Sequence, residues 1–316
     1  MQYQKKTGRF PSTEAGKIIS YYVYLPETEN RRGILQIAHG MAEYLERYEP
    51  FIEFLLEHGF IVCGEDHIAH GNSVSSPEEL GHIPGKEGWR KMVKDMHTLT
   101  RRMQQLHPGL PYFVLGHSMG SFLLRAYLIQ YGEETSGAII MGTGNNPAAV
   151  CNAGIGLCSL IGAVKGSDYR SPFISKMMFG SYLKRIPEPA SSNDWLSVNP
   201  ENVKKYDADP LCGFPFSVSG NANVMRLLKF VCAASWPTQV PKKLPILVTS
   251  GEEDPVGHYG KDPAKVALLL EKAGCEDVTL KLYRGDRHEI LNENDRETVY
   301  TDILAWLEDK LPKEEA

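Results

Sequence analysis

Tyr112-Phe113-Val114-Leu115-Gly116-His117-Ser118-Met119-Gly120 is an apolar run of strand character that breaks into a glycine-bounded turn, and an apolar helical stretch follows it to about Tyr131. A strand that turns directly into a helix forces the residue at the corner into a strained backbone conformation. Glycines two positions to either side, Gly116 and Gly120, let neighbouring segments pass closely enough for the corner to close. Ser118 then projects above the sheet edge at a helix N-terminus, where free N–H groups and the positive dipole end favour a developing anion. A merely structural Gly-Ser turn is the competing reading, and the strand before and helix after weigh against it.

Around that corner, strand-like runs alternate with helical patterns. Residues 34–38, 60–63, 112–115 and 138–141 are short apolar runs. This predicts an α/β fold with a mostly parallel central sheet flanked by helices. The clearest helix places Trp89, Met92, Val93, Met96, Leu99, Met103 and Leu106 on one face and stops at Pro108-Gly109. The alternation resumes with residues 246–250, a helix opened by Asp262-Pro263 as cap and first-turn proline and running to Gly274, then residues 278–282. A last helix carries Val299, Ile303, Trp306 and Leu307. Between residues 144 and 237 the alternation fails, and Gly, Asn, Pro and Ser surround apolar patches at 174–179 and 224–230. A structureless loop of that length does not suit a compact domain. The segment is therefore expected to be an inserted, mainly helical lid (144–237) between two parts of the core, 1–143 and 238–316. A charge-biased tail occupies 313–316.

Composition narrows the function. With 42% hydrophobic residues the 316-residue chain can bury a large core, and its formal net charge of -5 offers no attraction to nucleic acid or anionic lipid. The first ten residues are polar and basic with no apolar segment behind them, and no run of the length a spanning helix needs is expected. A cytoplasmic location follows as the expectation. Cys63, Cys151, Cys158, Cys212, Cys232 and Cys275 lack metal-type spacing and are read as buried thiols.

A serine hydroxyl is a weak nucleophile at neutral pH, so a histidine must take its proton and a carboxylate must hold that histidine in the right tautomer. Asp254 and His288 each follow a late strand, in the chain order serine, acid, histidine that strand–turn–helix serine sites of this kind use. Glu252 and Glu253 are rival acids expected to be exposed, and Asp286 stands too close in sequence to reach the His288 ring. Of the other histidines, His39 and His117 belong to turn motifs. The spacing of His67 and His70 could suggest a metal but brings no third ligand, so no metal or cofactor is expected. His58, His82, His97, His107 and His258 lie on early helices or loops. Oxyanion donors are expected from the Met119 N–H and, in His39-Gly40-Met41-Ala42-Glu43 after the first strand run, the Met41 N–H. His39, Gly40, Gly116, His117 and Gly120 support those two turns.

Together with Asp66-His67-Ile68-Ala69-His70-Gly71-Asn72-Ser73, residues 250–257 and residues 288–293, these motifs make the chain resemble the monoacylglycerol lipase and lysophospholipase group of α/β hydrolases, which is sometimes classed with the serine aminopeptidases. The resemblance implies the α/β-hydrolase fold and a cofactor-free esterase. It also implies a small-molecule acyl ester as partner, a lid over an apolar acyl site, and a possible transient contact of that lid with a lipid surface. Ile68-Ala69 stands where relatives carry Arg-Gly, and Ser121 where glycine is common. Phe173, Met177, Met178 and Phe179 either line the acyl site or form plain core. An aminopeptidase on the same fold is the nearest alternative, although relatives with that activity carry tryptophan where this chain has Met119. A serine at the corner excludes dehalogenases and epoxide hydrolases, which use aspartate there. A silent ligand-binding member of the fold would lack one of the three reacting residues, and here all three are present.

Overall fold

The computed structural model describes residues 3–312, so the tail at 313–316 lies outside the described residues. Eight strands form one sheet: β1 (Tyr3–Pro11), β2 (Ile18–Pro26), β3 (Gly33–Ala38), β4 (Phe60–Glu65), β5 (Tyr112–His117), β6 (Gly137–Met141), β7 (Ile246–Gly251) and β8 (Val278–Tyr283). Their spatial order is β1-β2-β4-β3-β5-β6-β7-β8, and only β2 runs against the others. The helices in chain order are α1 (Glu49–Glu57), α2 (Gly88–Leu106), α3 (Met119–Tyr131), α4 (Ala148–Lys165), α5 (Pro172–Phe179), α6 (Pro200–Ala208), α7 (Val218–Val231), α8 (Lys261–Lys272) and α9 (Arg296–Asp309).

Side-chain alternation along the strands creates two cores. Ile34, Val114, Ile140 and Val248 face one cluster with α2, α3 and α8, while Leu35, Phe113, Leu115 and Ile139 face the other with α1 and α9. Both faces are covered, which is why these strands read as continuous apolar runs. The parallel strands all end at one edge, and the turns after β3, β5, β7 and β8 meet there.

The structure corrects several expectations. The sheet begins earlier than residue 33, because β1 and β2 form an antiparallel pair at its margin. Leu106, assigned to the buried face of α2, is 63% exposed at the helix end. Helix α8 starts at Lys261 behind a left-handed Gly260, so Asp262 is not its cap. The Asp262 carboxylate accepts instead from the Asn145 N–H (2.9 Å) and pairs with His258 (2.6 Å), tying the start of the 144–237 segment to α8. Five cysteines are buried and Cys232 is half-buried; all six are free. Finally, α4 is an 18-residue helix of mean hydropathy 1.5 and only 17% buried, long and apolar enough by length and composition to cross a membrane. Its first half carries no charged residue, and the glycines and cysteines in it hide that run from a reading by strand and helix period.

Residues 144–237 are mainly helical, comprising α4 to α7 with short 3-10 turns. Arg125 of α3, fully buried, donates to the Gly144 carbonyl (2.9 Å) and to the Val231 carbonyl, and lies 4.4 Å over the Trp236 ring. One guanidinium thus holds both ends of the segment to the core.

A second polar group in the core is less well matched. Glu65 at the end of β4 is fully buried, accepts from Gln36 Nε2 (3.3 Å), and burial pushes its carboxyl up to about 8. In the unfolded chain it ionises near 4.5. Between those values the unfolded chain binds fewer protons than the folded one, so stability falls as pH rises through this window. Glu65→Gln removes that dependence. The difference in thermal midpoint between variant and parent should move in the variant's favour from about pH 4.5 to about pH 8 and then level off; a difference that is constant with pH contradicts the assignment.

Candidate active site

Ser118 occupies φ 54°, ψ −119°, a conformation L side chains rarely adopt, and its N–H is held by the Met141 carbonyl at 3.0 Å. The corner is as tight as its glycines imply. A Cβ on Gly116 would stand 2.3 Å from the Gly120 carbonyl oxygen, and one on Gly120 would stand 2.0 Å from that of Ala38. No side chain fits at either position without moving backbone.

Asp254 is fully buried in the turn after β7 and accepts from His288 Nδ1 (2.9 Å), the Ser250 hydroxyl (3.0 Å) and the Val256 N–H (2.8 Å). Burial alone would raise its pKa, but His288 and these donors outweigh burial and hold the carboxyl below its ordinary value. Because the carboxylate can only accept, Nδ1 of His288 carries the proton and Nε2 is left as the ring's acceptor. His288 is buried, with Trp195 (5.2 Å between ring centres) and His117 (4.7 Å) against it. Ser118 and His288 line one cavity of about 920 Å³. No hydrogen bond joins the Ser118 hydroxyl to the ring among the described residues.

The two residues expected to offer backbone donors, Met41 and Met119, lie at the cavity, and among the described residues neither N–H has an acceptor in the protein. Met177, Met178 and Phe179 line the same cavity, whereas Phe173 points away and is 61% exposed. Glu252 and Glu253 are exposed. Asp286 is buried away from His288; burial and the neighbouring Asp295 and Glu293 push its carboxyl up to about 7. His258 sits at the cavity with Asp262 as its partner, and His67 and His70 pack their rings against His39.

A group of residues that the sequence reading left without roles holds these parts in register. The buried Glu43 carboxylate accepts from the Gly40 N–H (2.6 Å), the Tyr48 hydroxyl (2.9 Å) and Arg47 (2.7 Å), and lies 3.3 Å from His117 Nδ1. Arg47 continues to both oxygens of Glu289 (2.7 and 2.8 Å), next to His288, and Glu289 also accepts from Asn202 of α6 (2.7 Å). His117 Nε2 meets the His288 carbonyl oxygen (3.2 Å), which can only accept, while Nδ1 meets the Tyr48 hydroxyl (2.9 Å) and Glu43. Nε2 therefore donates to that carbonyl, and a proton on Nδ1 would face the Glu43 carboxylate, a setting that favours the charged ring. Burial opposes that charge, but Glu43 outweighs it and raises the His117 pKa; burial likewise opposes the Glu43 charge, and His117 and Arg47 overcome it. Arg47 is thus paired with both carboxylates. The only hint in the sequence is Glu43 and Arg47 at i,i+4, which is also the pattern of an ordinary exposed pair.

Comparison with known proteins gives the family. Residues 29–295 match the family model described as serine aminopeptidase, S33. A monoacylglycerol lipase from Mycolicibacterium smegmatis is 31% identical over 298 residues, covering 92% of this chain and 93% of the relative. Human monoglyceride lipase is 26% identical, covering 90% and 85%. The crystal structure of a thermostable carboxyl esterase from Bacillus coagulans superposes with a TM-score of 0.90 at 30% identity, over 96% of this chain and 98% of that one. With the fold, the serine corner and the match in agreement, the chain belongs to the serine aminopeptidase S33 family of α/β hydrolases.

Proposed function

We propose that the chain hydrolyses carboxylic esters of the monoacylglycerol type through an acyl-enzyme on Ser118. The observation that carries the reading is the strained serine at a helix N-terminus, sharing one cavity with a histidine whose far nitrogen is bonded to a buried carboxylate. His288 takes the Ser118 proton as the hydroxyl attacks the ester carbonyl, and the Met41 and Met119 N–H groups receive the oxyanion. The protonated His288 then gives its proton to the leaving alcohol and later activates the water that releases the acid, with Asp254 holding the ring throughout. Named relatives that are lipases and esterases support the ester as substrate.

The cavity fits a long acyl chain. Its volume is near the upper end for small-molecule sites, and Phe122, Met178, Phe214, Phe216, Val224 and Leu228 give it an apolar wall. Residues 144–237 supply much of that wall and act as the lid. The aminopeptidase alternative needs a free carboxylate for the substrate's α-ammonium. Glu43 and Glu289 line the cavity, but both are bonded to Arg47. A silent binding role would leave the strained serine and the Asp254–His288 pair without a use.

The lid also offers a surface for lipid. Six of the eleven exposed large hydrophobic side chains among the described residues, Val150, Leu160, Val164, Tyr169, Phe173 and Met177, fall on α4, α5 and their connection. A concentrated apolar patch of this kind beside a cavity mouth suits reversible seating on the surface that holds the substrate. Six free cysteines support a reducing compartment, the cytoplasm, for the chain.

Three outcomes test these readings. Ser118→Ala should lower kcat/KM for p-nitrophenyl esters by about 10³-fold or more and abolish labelling by a fluorophosphonate; near-full activity in that variant refutes the assignment. Asp254→Asn keeps the shape but offers His288 the wrong tautomer, so kcat should fall by about 10⁴-fold with little change in KM. Replacing Leu160 and Val164 together by Glu should reduce turnover on monoacylglycerol in vesicles about 10-fold while soluble short esters are cleaved within about twofold of the parent rate; an equal fall on both substrates counts against seating through α4.

A further inference from the structure

Gly40 is pinned on both sides. Its N–H donates to Glu43 (2.6 Å), and its carbonyl oxygen lies 2.8 Å from Nδ1 of the His39 ring. The same ring reaches the turn after β4 through Nε2, which is 3.0 Å from the backbone N–H of His67. A backbone N–H can only donate, so Nε2 is the bare, accepting nitrogen, and a neutral ring must then carry its proton on Nδ1. Nδ1–H in turn donates to the Gly40 carbonyl. His39 is fully buried, with His67 at 4.2 Å and His70 at 5.1 Å between ring centres, so the ring has no room to flip. Burial and the neighbouring His67 also lower its pKa well below the ordinary value, in keeping with a neutral ring.

The Gly40 carbonyl and the Met41 N–H belong to one planar trans peptide and point in opposite directions. Whatever holds the oxygen aims the hydrogen. We infer that His39 is a positioning residue that aims the Met41 N–H at the oxyanion site: its Nδ1–H clamps the Gly40 oxygen, and the His67 N–H locks the tautomer that makes the clamp possible. Gly40 is the residue most in need of this, because a side chain there would collide with Glu43 and press on Ser118, so the position must be glycine and the peptide has no side chain of its own to steady it. The inference rests on the reading of Met41 as an oxyanion donor, and it gives a task to a histidine that sits beside the chemistry without taking part in it.

Two isosteres separate the ring's two bonds. Asn places an N–H where Nδ1 stands and gives up the acceptor for His67; Gln keeps an acceptor near the Nε2 position and gives up the donor to Gly40. With active sites counted by fluorophosphonate titration, kcat on p-nitrophenyl butyrate should fall about 10- to 100-fold in His39→Gln with KM within about twofold, less than the ~10²- to 10³-fold loss of an oxyanion donor removed outright. The inhibition constant of a trifluoromethyl ketone, whose adduct places an oxyanion in the site, should rise in step. His39→Asn should stay within about threefold of the parent on both measures. A role limited to holding the β4 turn reverses that order, and Asn losing as much as Gln, or Gln keeping the parent kcat, overturns the inference. If the Gln variant does not fold, ring-nitrogen NMR of the parent protein decides: a proton on Nδ1 with bare Nε2 upholds the clamp, and an Nε2–H or doubly protonated His39 overturns it. That measurement does not depend on turnover, so it stays interpretable even if Ser118→Ala were to retain activity and the proposed reaction were to fail.

Discussion

Everything at the site depends on Glu43 being a buried carboxylate that is fully matched. A lone charge in this position would cost several kcal/mol, and the cost falls only if cations and donors surround it in good geometry. Here they come from three separate places, the Gly40 amide after β3, Arg47 and Tyr48 ahead of α1, and the His117 ring at the serine corner, while Arg47 also binds a fourth segment through Glu289 beside the site histidine. The penalty for leaving any member unpaired is what forces the four segments into one relative position. His117 extends the same logic, since its Nε2–H reaches the backbone carbonyl of His288 itself.

The 144–237 segment is attached to the core by polar bonds in both of its halves. Its later part is fastened by polar bonds: Asn202 to Glu289, Tyr206 and Gly213 to the Ala42 carbonyl (3.0 Å each), Leu196 to the Glu289 N–H (2.7 Å), and Ser197 to Glu293 (2.7 Å). These bonds land on the turn after β3 and on the loop that carries His288. The earlier part, α4 and α5, packs through apolar side chains such as Cys158 and Ile174 against Val218 and Ala222 of α7, and Arg170 between the two helices donates to the Glu78 and Leu80 carbonyls of the core (2.6 and 2.7 Å).

Legibility followed the range of the interaction. The strand–corner–helix around Ser118 is a local event, decided by apolar period and by glycines within two residues of the serine, and so it could be read directly. Asp254 and His288 were legible for a related reason: each stands just past a strand, where a parallel sheet delivers its loops. The margins were less clear. The β2 stretch Ile19, Tyr22, Val23, Tyr24 and Leu25 has the β-branched and aromatic content of a strand, yet β1 beside it is largely exposed and polar, and such an edge leaves little periodic trace. The start of α8 was misplaced because Asp before Pro is an ordinary opening, whereas here Asp262 is recruited by Asn145 and His258.

By itself, then, the sequence determined the alternating sheet and helices, the strained serine corner, and the identity and order of the residues that could carry a proton away from it. Only the tertiary structure decided how those residues are held: the pairing of Arg47 with Glu289 across 242 positions, the partners of the buried His117 ring, the tautomer of His39 and the bonds that fasten residues 144–237 to the core. The physical reason is that pattern reports on a residue's near neighbours, while the state of a buried polar group is set by whichever distant donor or acceptor folding brings against it.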